Sequence, residues 1–382
     1  MRIAFLSSLD LNLYLFRLDI MKALQKQGDS VIAIIPDGKY SELIKENGIQ
    51  VINYNLSRGS LNPLEAFKSI SELAKILKTL NLDVLHTFTV KPNIFGTLAG
   101  KMAKVPTIYN LVEGLGSFYV DNSFKSKIVR KVIETSYKFA FKLSKKVVFV
   151  NQDDPKYLIE KGIIPKEKTH IIKSVGIDTE EFQQNSISDE VKNKLRADLG
   201  ISESSKVVIM IARAILHKGT IDFYKSAELL KNENIEFLFV GGLDEGNKFG
   251  MSKDFMQNGN VKWLDWRDDI KELISISDIV ILPSYREGVP RTLLEACSMG
   301  KPIIATDTVG CRETVDNGKN GFLIPIESPQ IIAEKIQYIF SDNNLYSEMS
   351  KYSREKAEKE FDIKFIVQQY LAFYIISDFI EY

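Results

Sequence analysis

The chain has 382 residues, 45% hydrophobic and 26% charged, with 50 basic and 50 acidic side chains and two cysteines. That length predicts two domains, each with a core of its own. Cys297 and Cys311 give neither a disulfide framework nor a metal-ligand spacing, so a reducing, cytoplasmic setting is expected and no metal site is. No uncharged apolar run reaches the about 18 residues of a membrane span, and residues 1–6 enter a strand pattern directly, without a signal-peptide core.

The neutral total hides an asymmetry. Residues 1–175 carry 26 Lys+Arg against 16 Asp+Glu, and residues 176–382 carry 24 against 34, a balance of +10 and −10. Either the first half meets an anionic partner or surface charge has drifted unevenly.

The first apolar run, 3–6, leads into Ser7-Ser8-Leu9-Asp10. No G-x-G-x-x-G stands there, which argues against a nicotinamide site. Further runs at 31–35, 51–54, 84–86, 107–111, 147–150 and 170–172 alternate with helical patterns such as 63–80 and 124–145. That alternation predicts parallel strands joined by crossover helices. Arg17 lies early in the first crossover helix and faces either a cleft or solvent. His86 and Lys91 fall at the end of the fourth run, where a lone histidine is more often structural than catalytic. Glu113-Gly114-Leu115-Gly116-Ser117 follows the fifth run. It is either backbone held close to a ligand or an ordinary turn.

Residues 124–146 carry eight Lys and Arg against one acid, Glu134, interleaved with Ile128, Val132, Tyr137, Phe139 and Phe141. A basic amphipathic helix of this kind predicts contact with an anionic membrane surface. A crossover helix with one solvated basic face is the alternative.

The pattern breaks over the polar stretch 178–205 and restarts with runs at 206–212, 237–240, 261–264, 279–282 and 302–305. Two doubly wound sheets are therefore expected, in domains 1–175 and 176–361. Residues 362–382 form a closing helical pattern too apolar to stay undocked. Ligands of such folds bind beyond the carboxyl ends of the strands.

Arg213 and Lys218 follow the run 206–212, five positions apart, with Gly219 opening the next helix. One cation is a fork and the other a mobile point charge, a pair suited to a diphosphate. Gly241-Gly242 follows the next run, as a close approach to ligand or as a turn. The loop 263–269, with Trp263, Trp266 and Arg267, would hold a nucleobase by stacking and backbone hydrogen bonds, or Asp268 or Asp269 would cap a helix, and the two are compatible. The richest segment is Glu287-Gly288-Val289-Pro290-Arg291-Thr292-Leu293-Leu294-Glu295. A strand, a tight loop and a helix beginning near Pro290 aim N–H groups and a helix dipole at one spot. Carboxylates at both ends suit a ligand with hydroxyls as well as phosphates, which is what a nucleotide-sugar offers. No Asp-x-Asp occurs, so a metal-clamped diphosphate is not expected. No G-x-x-x-x-G-K-[ST] and no nucleic-acid module occurs either.

Glu287 to Glu295, with Arg213 and Lys218 upstream, resembles the retaining glycosyltransferases of family 4, whose fold is GT-B: two Rossmann-like domains facing across a cleft, the last helix crossing back to the first. Gly310 with Glu313, Gly318 with Gly321, and 173–178 are similar to later segments of that family. Segments 112–119 and 282–288 look like the branch that adds N-acetylgalactosamine to a polyprenyl-diphosphate-linked glycan for bacterial protein N-glycosylation. The resemblance implies a UDP-sugar donor, no obligatory cofactor, and a peripheral place on the cytoplasmic face of the inner membrane. It implies that Arg213 and Lys218 neutralise the leaving diphosphate and that Glu287 holds the transferred sugar. Gly288, Val289, Pro290, Leu294 and Glu295 would bind the donor, Glu295 through ribose hydroxyls; Gly241 and Arg267 are assigned to the same side. Glu113, Gly114, Gly116, Ser117, Lys91 and Arg17 would serve the acceptor. An epimerase of the same fold, needing no acceptor, is the alternative.

Overall fold

The computed structural model describes residues 1–54 and 63–379. The chain forms two compact units, Met1–Val175 with Lys364–Tyr382, and Gly176–Ile363. In the first unit seven strands run β1 (Arg2–Ser7), β2 (Ser30–Ile35), β3 (Gln50–Asn53), β4 (Val84–Phe88), β5 (Thr107–Val112), β6 (Lys146–Phe149) and β7 (Thr169–Ile171). They pair in the order β3-β2-β1-β4-β5-β6-β7, all parallel. In the second unit β8 (Lys206–Ile211), β9 (Ile235–Val240), β10 (Val261–Trp263), β11 (Ile279–Leu282), β12 (Ile303–Thr306) and β13 (Gly321–Ile324) pair in the order β10-β9-β8-β11-β12-β13, again all parallel.

Both sheets are covered on two faces, so their central strands are buried along their length and mostly apolar rather than alternating. Every residue of β4 and of β11 is buried. In each sheet the strand order reverses once, between β1 and β4 and between β8 and β11. Those two crevices are where an open α/β sheet leaves room for a ligand.

The sequence missed some elements. Six strands rather than five make the second sheet; β13 is four residues long and begins at Gly321. The polar stretch 178–205 holds a helix, Asp189–Asp198, whose N-cap Ser188 accepts from the Val191 N–H. The helix after Glu287 is Arg291–Ser298, with Pro290 as its extended N-cap residue rather than inside it.

The closing helix, Ile363–Phe379, supplies aromatics to the first unit's core. Phe373 stacks near Tyr109 and His170 at ring distances of 4.7 and 4.9 Å. The Tyr374 hydroxyl shares a 2.6 Å hydrogen bond with His86 Nδ1. His86 is fully buried; burial, then the Arg17 charge, holds its pKa well below the usual value. Its role is therefore structural.

Candidate active site

In the second unit the site grows from the carboxyl ends of β8 and β11. After β8 the chain makes one 3-10 turn, Leu216–Lys218, and then Gly219 at φ 78°, a left-handed conformation. A Cβ on Gly219 would overlap the Pro283 carbonyl, so only glycine lets this turn press onto the end of β11. Two bonds fix the contact: the Tyr285 N–H and the Ser284 hydroxyl both donate to the His217 carbonyl, at 2.9 and 3.1 Å. From the other side, the Glu287 N–H donates to the Val309 carbonyl at 2.9 Å. Gly310, at φ 82°, lies where any side chain would strike Glu287 and Gly288.

Lys218 Nζ then meets Glu287 Oε1 at 2.5 Å. Residues 69 apart in sequence are delivered to one spot by main-chain packing, with Gly288 next in line. Arg213, on the same edge, pairs with Asp244 at 2.6 Å and is 63% exposed. Asp244 belongs to the loop after β9, tied to the Arg213–Leu216 segment by main-chain bonds from Ala214 to Gly242 and from Leu216 to Phe249. Glu295 lies in the helix, buried, and accepts from Arg291 Nε at 2.9 Å. Burial raises its pKa; the Arg291 charge and hydrogen bond oppose that. Val289, Pro290 and Leu294 are buried beside it.

Two residues assigned to the donor side have partners within the protein. Gly241, at φ 148°, sits where a Cβ would overlap the Ala212 carbonyl; its own N–H donates to Asp265 and its carbonyl accepts from Trp263 Nε1. It allows three strand ends to close together. Arg267 spends its fork on Asp269, at 2.7 and 2.5 Å, and lines a hollow with Val191, Leu195 and Glu272. The Asp269 side chain is drawn to Arg267 and makes no cap bond to its helix.

In the first unit the corresponding edge carries Glu113, just past β5, followed by Gly114 (φ 152°) and Gly116 (φ 84°). Ser117 opens a short turn, Ser117–Tyr119. Lys91 follows β4, partly buried, and burial lowers its pKa. Arg17 departs from expectation. Its side chain is 0% exposed, so it offers nothing directly to an acceptor. It faces the Phe88 and Tyr370 rings, at 5.1 and 5.9 Å, and its Nη2 donates to Glu113 Oε1 at 2.6 Å. Asn12, which sequence reasoning passed over, donates to both Glu113 oxygens at 2.9 and 2.7 Å. One signal was available: Leu13, Arg17, Ile20 and Leu24 recur at helical spacing, which puts Arg17 on the buried stripe.

Two parallel, doubly wound units, the second with a cation–carboxylate pair at its switch point, have the architecture of a GT-B glycosyltransferase. The chain belongs to the group 1 glycosyl transferases: the family model "Glycosyl transferases group 1" matches residues 191–356, and "Glycosyl transferase 4-like" matches residues 2–151. It is 40% identical, over 98% of both chains, to the N,N'-diacetylbacillosaminyl-diphospho-undecaprenol alpha-1,3-N-acetylgalactosaminyltransferase of Campylobacter jejuni. It is 28% identical, over 80% of this chain and 78% of the other, to the Escherichia coli UDP-Gal:alpha-D-GlcNAc-diphosphoundecaprenol alpha-1,3-galactosyltransferase. In fold it is similar to Anabaena HepE, solved with UDP and glucose, at TM-score 0.80 and 22% identity over 97% of this chain and 98% of that one. The epimerase alternative gains nothing from the Campylobacter jejuni and Escherichia coli relatives, both named as transferases.

Proposed function

We propose that the protein transfers N-acetylgalactosamine from UDP-N-acetylgalactosamine, with retention, to diacetylbacillosamine carried on undecaprenyl diphosphate. The 40% identity to a transferase of that specificity, running over 98% of both chains, supports the substrates. The observation that carries the chemistry is the 2.5 Å Lys218–Glu287 pair beside Gly288. Negative charge grows on the leaving phosphate as the sugar takes on oxocarbenium character. Lys218 and Arg213 meet that charge, and fixed cations at such a point are the largest electrostatic aid available. Glu287, released from Lys218 when phosphate arrives, accepts from hydroxyls of the transferred sugar. Glu295 takes the ribose hydroxyls. Retention follows when the acceptor hydroxyl enters on the leaving-group side and the departing phosphate takes its proton, so no carboxylate nucleophile is required. These residues serve the reaction without an obligatory cofactor.

The acceptor's lipid makes the reaction a membrane-surface one. Among the described residues no helix is long and apolar enough to cross a bilayer. The helix Phe124–Leu143 instead exposes Phe124, Ile128, Val132 and Phe139 at helical spacing, flanked by lysines. Its acid, Glu134, is engaged by the Tyr157 hydroxyl at 2.7 Å. Apolar side chains lying in the headgroup boundary, with lysines on anionic lipid, is the peripheral contact this face supports. It is consistent with a place on the cytoplasmic face of the inner membrane.

The test is a panel of UDP-sugars against polyprenyl-diphosphate glycans, with product mass measured. The expected product gains one N-acetylhexosamine, and UDP is released only when acceptor is present. Conversion of a UDP-sugar without acceptor would instead make the protein an epimerase and remove the proposal.

A further inference from the structure

The first helix and the end of β5 build something the donor chemistry does not use. Arg17 is a fully buried cation whose carboxylate partner is the more exposed of the two: Glu113 keeps 23% of its side-chain surface. Burying an ion pair rarely stabilises a fold relative to apolar residues of the same size, so the arrangement calls for another reason. Its geometry supplies one. A carboxylate can only accept, so the Asn12 amide must turn its NH2 toward Glu113, and the Ser7 hydroxyl lies 3.4 Å from the Asn12 oxygen on the other side. Oε1 receives Asn12 and Arg17; Oε2 receives Asn12. A carboxylate has about four lone-pair directions, so Oε2 still has one to give. The guanidinium is itself pinned: Nη1 donates to the Phe16 carbonyl at 3.0 Å, and the Phe88 and Tyr370 rings flank it.

We propose that Asn12 and Arg17 are positioning residues for the transfer reaction. They hold Glu113 rigid with one oxygen direction open, as the fixed hydrogen-bond acceptor for an O–H or amide N–H of the acceptor saccharide. Tyr370 makes the closing helix part of the same support. The inference deepens the proposed function and rests on it for the identity of the ligand. A glutamine at 113 fails by its chemistry. Its amide cannot receive Asn12 and Arg17 together while leaving an acceptor open, because one of its two heavy atoms has become a donor.

The experiment is a double-mutant cycle on Arg17→Met, Glu113→Gln and the pair, read as KM for acceptor, kcat, and Kd for UDP. The acceptor is whichever compound of the panel the wild type uses, so a wrong guess of saccharide fails in the panel and leaves the cycle readable. Arg17→Met is expected to raise acceptor KM about tenfold or more, the scale of a lost charge-assisted bond, with UDP Kd unchanged. In the Glu113→Gln background the same change should add less than about twofold, since a residue acting through Glu113 has nothing left to act on. Asn12→Ala, which removes no charge, should also raise acceptor KM and serves if Arg17→Met does not fold. Losses that add independently in the double mutant, or an acceptor KM unmoved in both Arg17→Met and Asn12→Ala, would overturn the assignment.

Discussion

Each unit holds a carboxylate just past the carboxyl end of a strand, paired with a cation, and the two pairs are built in opposite senses. In the second unit Lys218 is 21% exposed and Glu287 11%, so the cation is the more accessible partner. In the first, Arg17 is 0% exposed and Glu113 23%. The first arrangement suits the incoming phosphate of the proposed reaction; the second suits hydroxyls. The choice of cation follows. Lysine is a mobile point charge able to leave one partner for another, whereas arginine's fork is pre-organised to hold one geometry.

The largest effect that would break this contrast lies in the second unit. Lys218→Ala, and Arg213→Ala with it, should each lower kcat by about a hundredfold or more, as losing one transition-state stabiliser does. Near wild-type turnover in steady-state assays would mean that the cations serve only as surface charges. Glu295→Gln should act on binding, weakening UDP about tenfold by calorimetry with kcat little changed. An unaltered UDP affinity would detach Glu295 from the ribose. A Val132→Glu/Phe139→Glu variant should sediment less with vesicles containing anionic lipid while turning over a water-soluble acceptor normally. Equal sedimentation would move the membrane contact elsewhere.

The smallest effect concerns stability. Lys301 is buried, donates to the Ser275 and Ser277 carbonyls at 3.1 and 2.7 Å, and burial pulls its pKa down to about 8. In the unfolded chain it holds its proton to roughly 10.4. Between those values the unfolded state binds more protons, so this group makes stability rise with pH and costs most below 8. Urea midpoints should therefore climb from pH 7.5 to 9.5 more steeply in wild type than in Lys301→Met. Parallel curves would show that the lysine is not desolvated as placed.

Much of this was legible in sequence because strands buried on both faces stand out as short apolar runs between polar turns, as β8 and β11 do. The placing of Arg213, Lys218 and Glu287 followed from strand ends alone. What escaped depends on which side chains and strand ends meet, near or far along the chain. Gly241 reads in sequence as a close approach to ligand or as a turn, and the Ala212 carbonyl of a neighbouring strand end adds a need for glycine that the sequence does not display. Arg267 looked available until Asp269, two residues on, took its fork. β13 was too short and too close to its glycines to stand out. Asn12 is one polar residue in a helix until β5 brings Glu113 to it from 101 positions away.

The two crossings of the chain between its units lie side by side: the Ile177 N–H donates to the Phe361 carbonyl and the Ile363 N–H to the Ile177 carbonyl, both at 2.9 Å. The second unit is thus an insertion within the first, whose closing helix is translated only after the whole of that insertion. While the ribosome makes residues 176–363, the finished sheet of the first unit waits with His86, Tyr109 and Phe5 uncovered by Phe373 and Tyr374. A nascent chain halted before Ile363 should therefore be sticky, a natural client for chaperones, until the closing helix emerges and seals it.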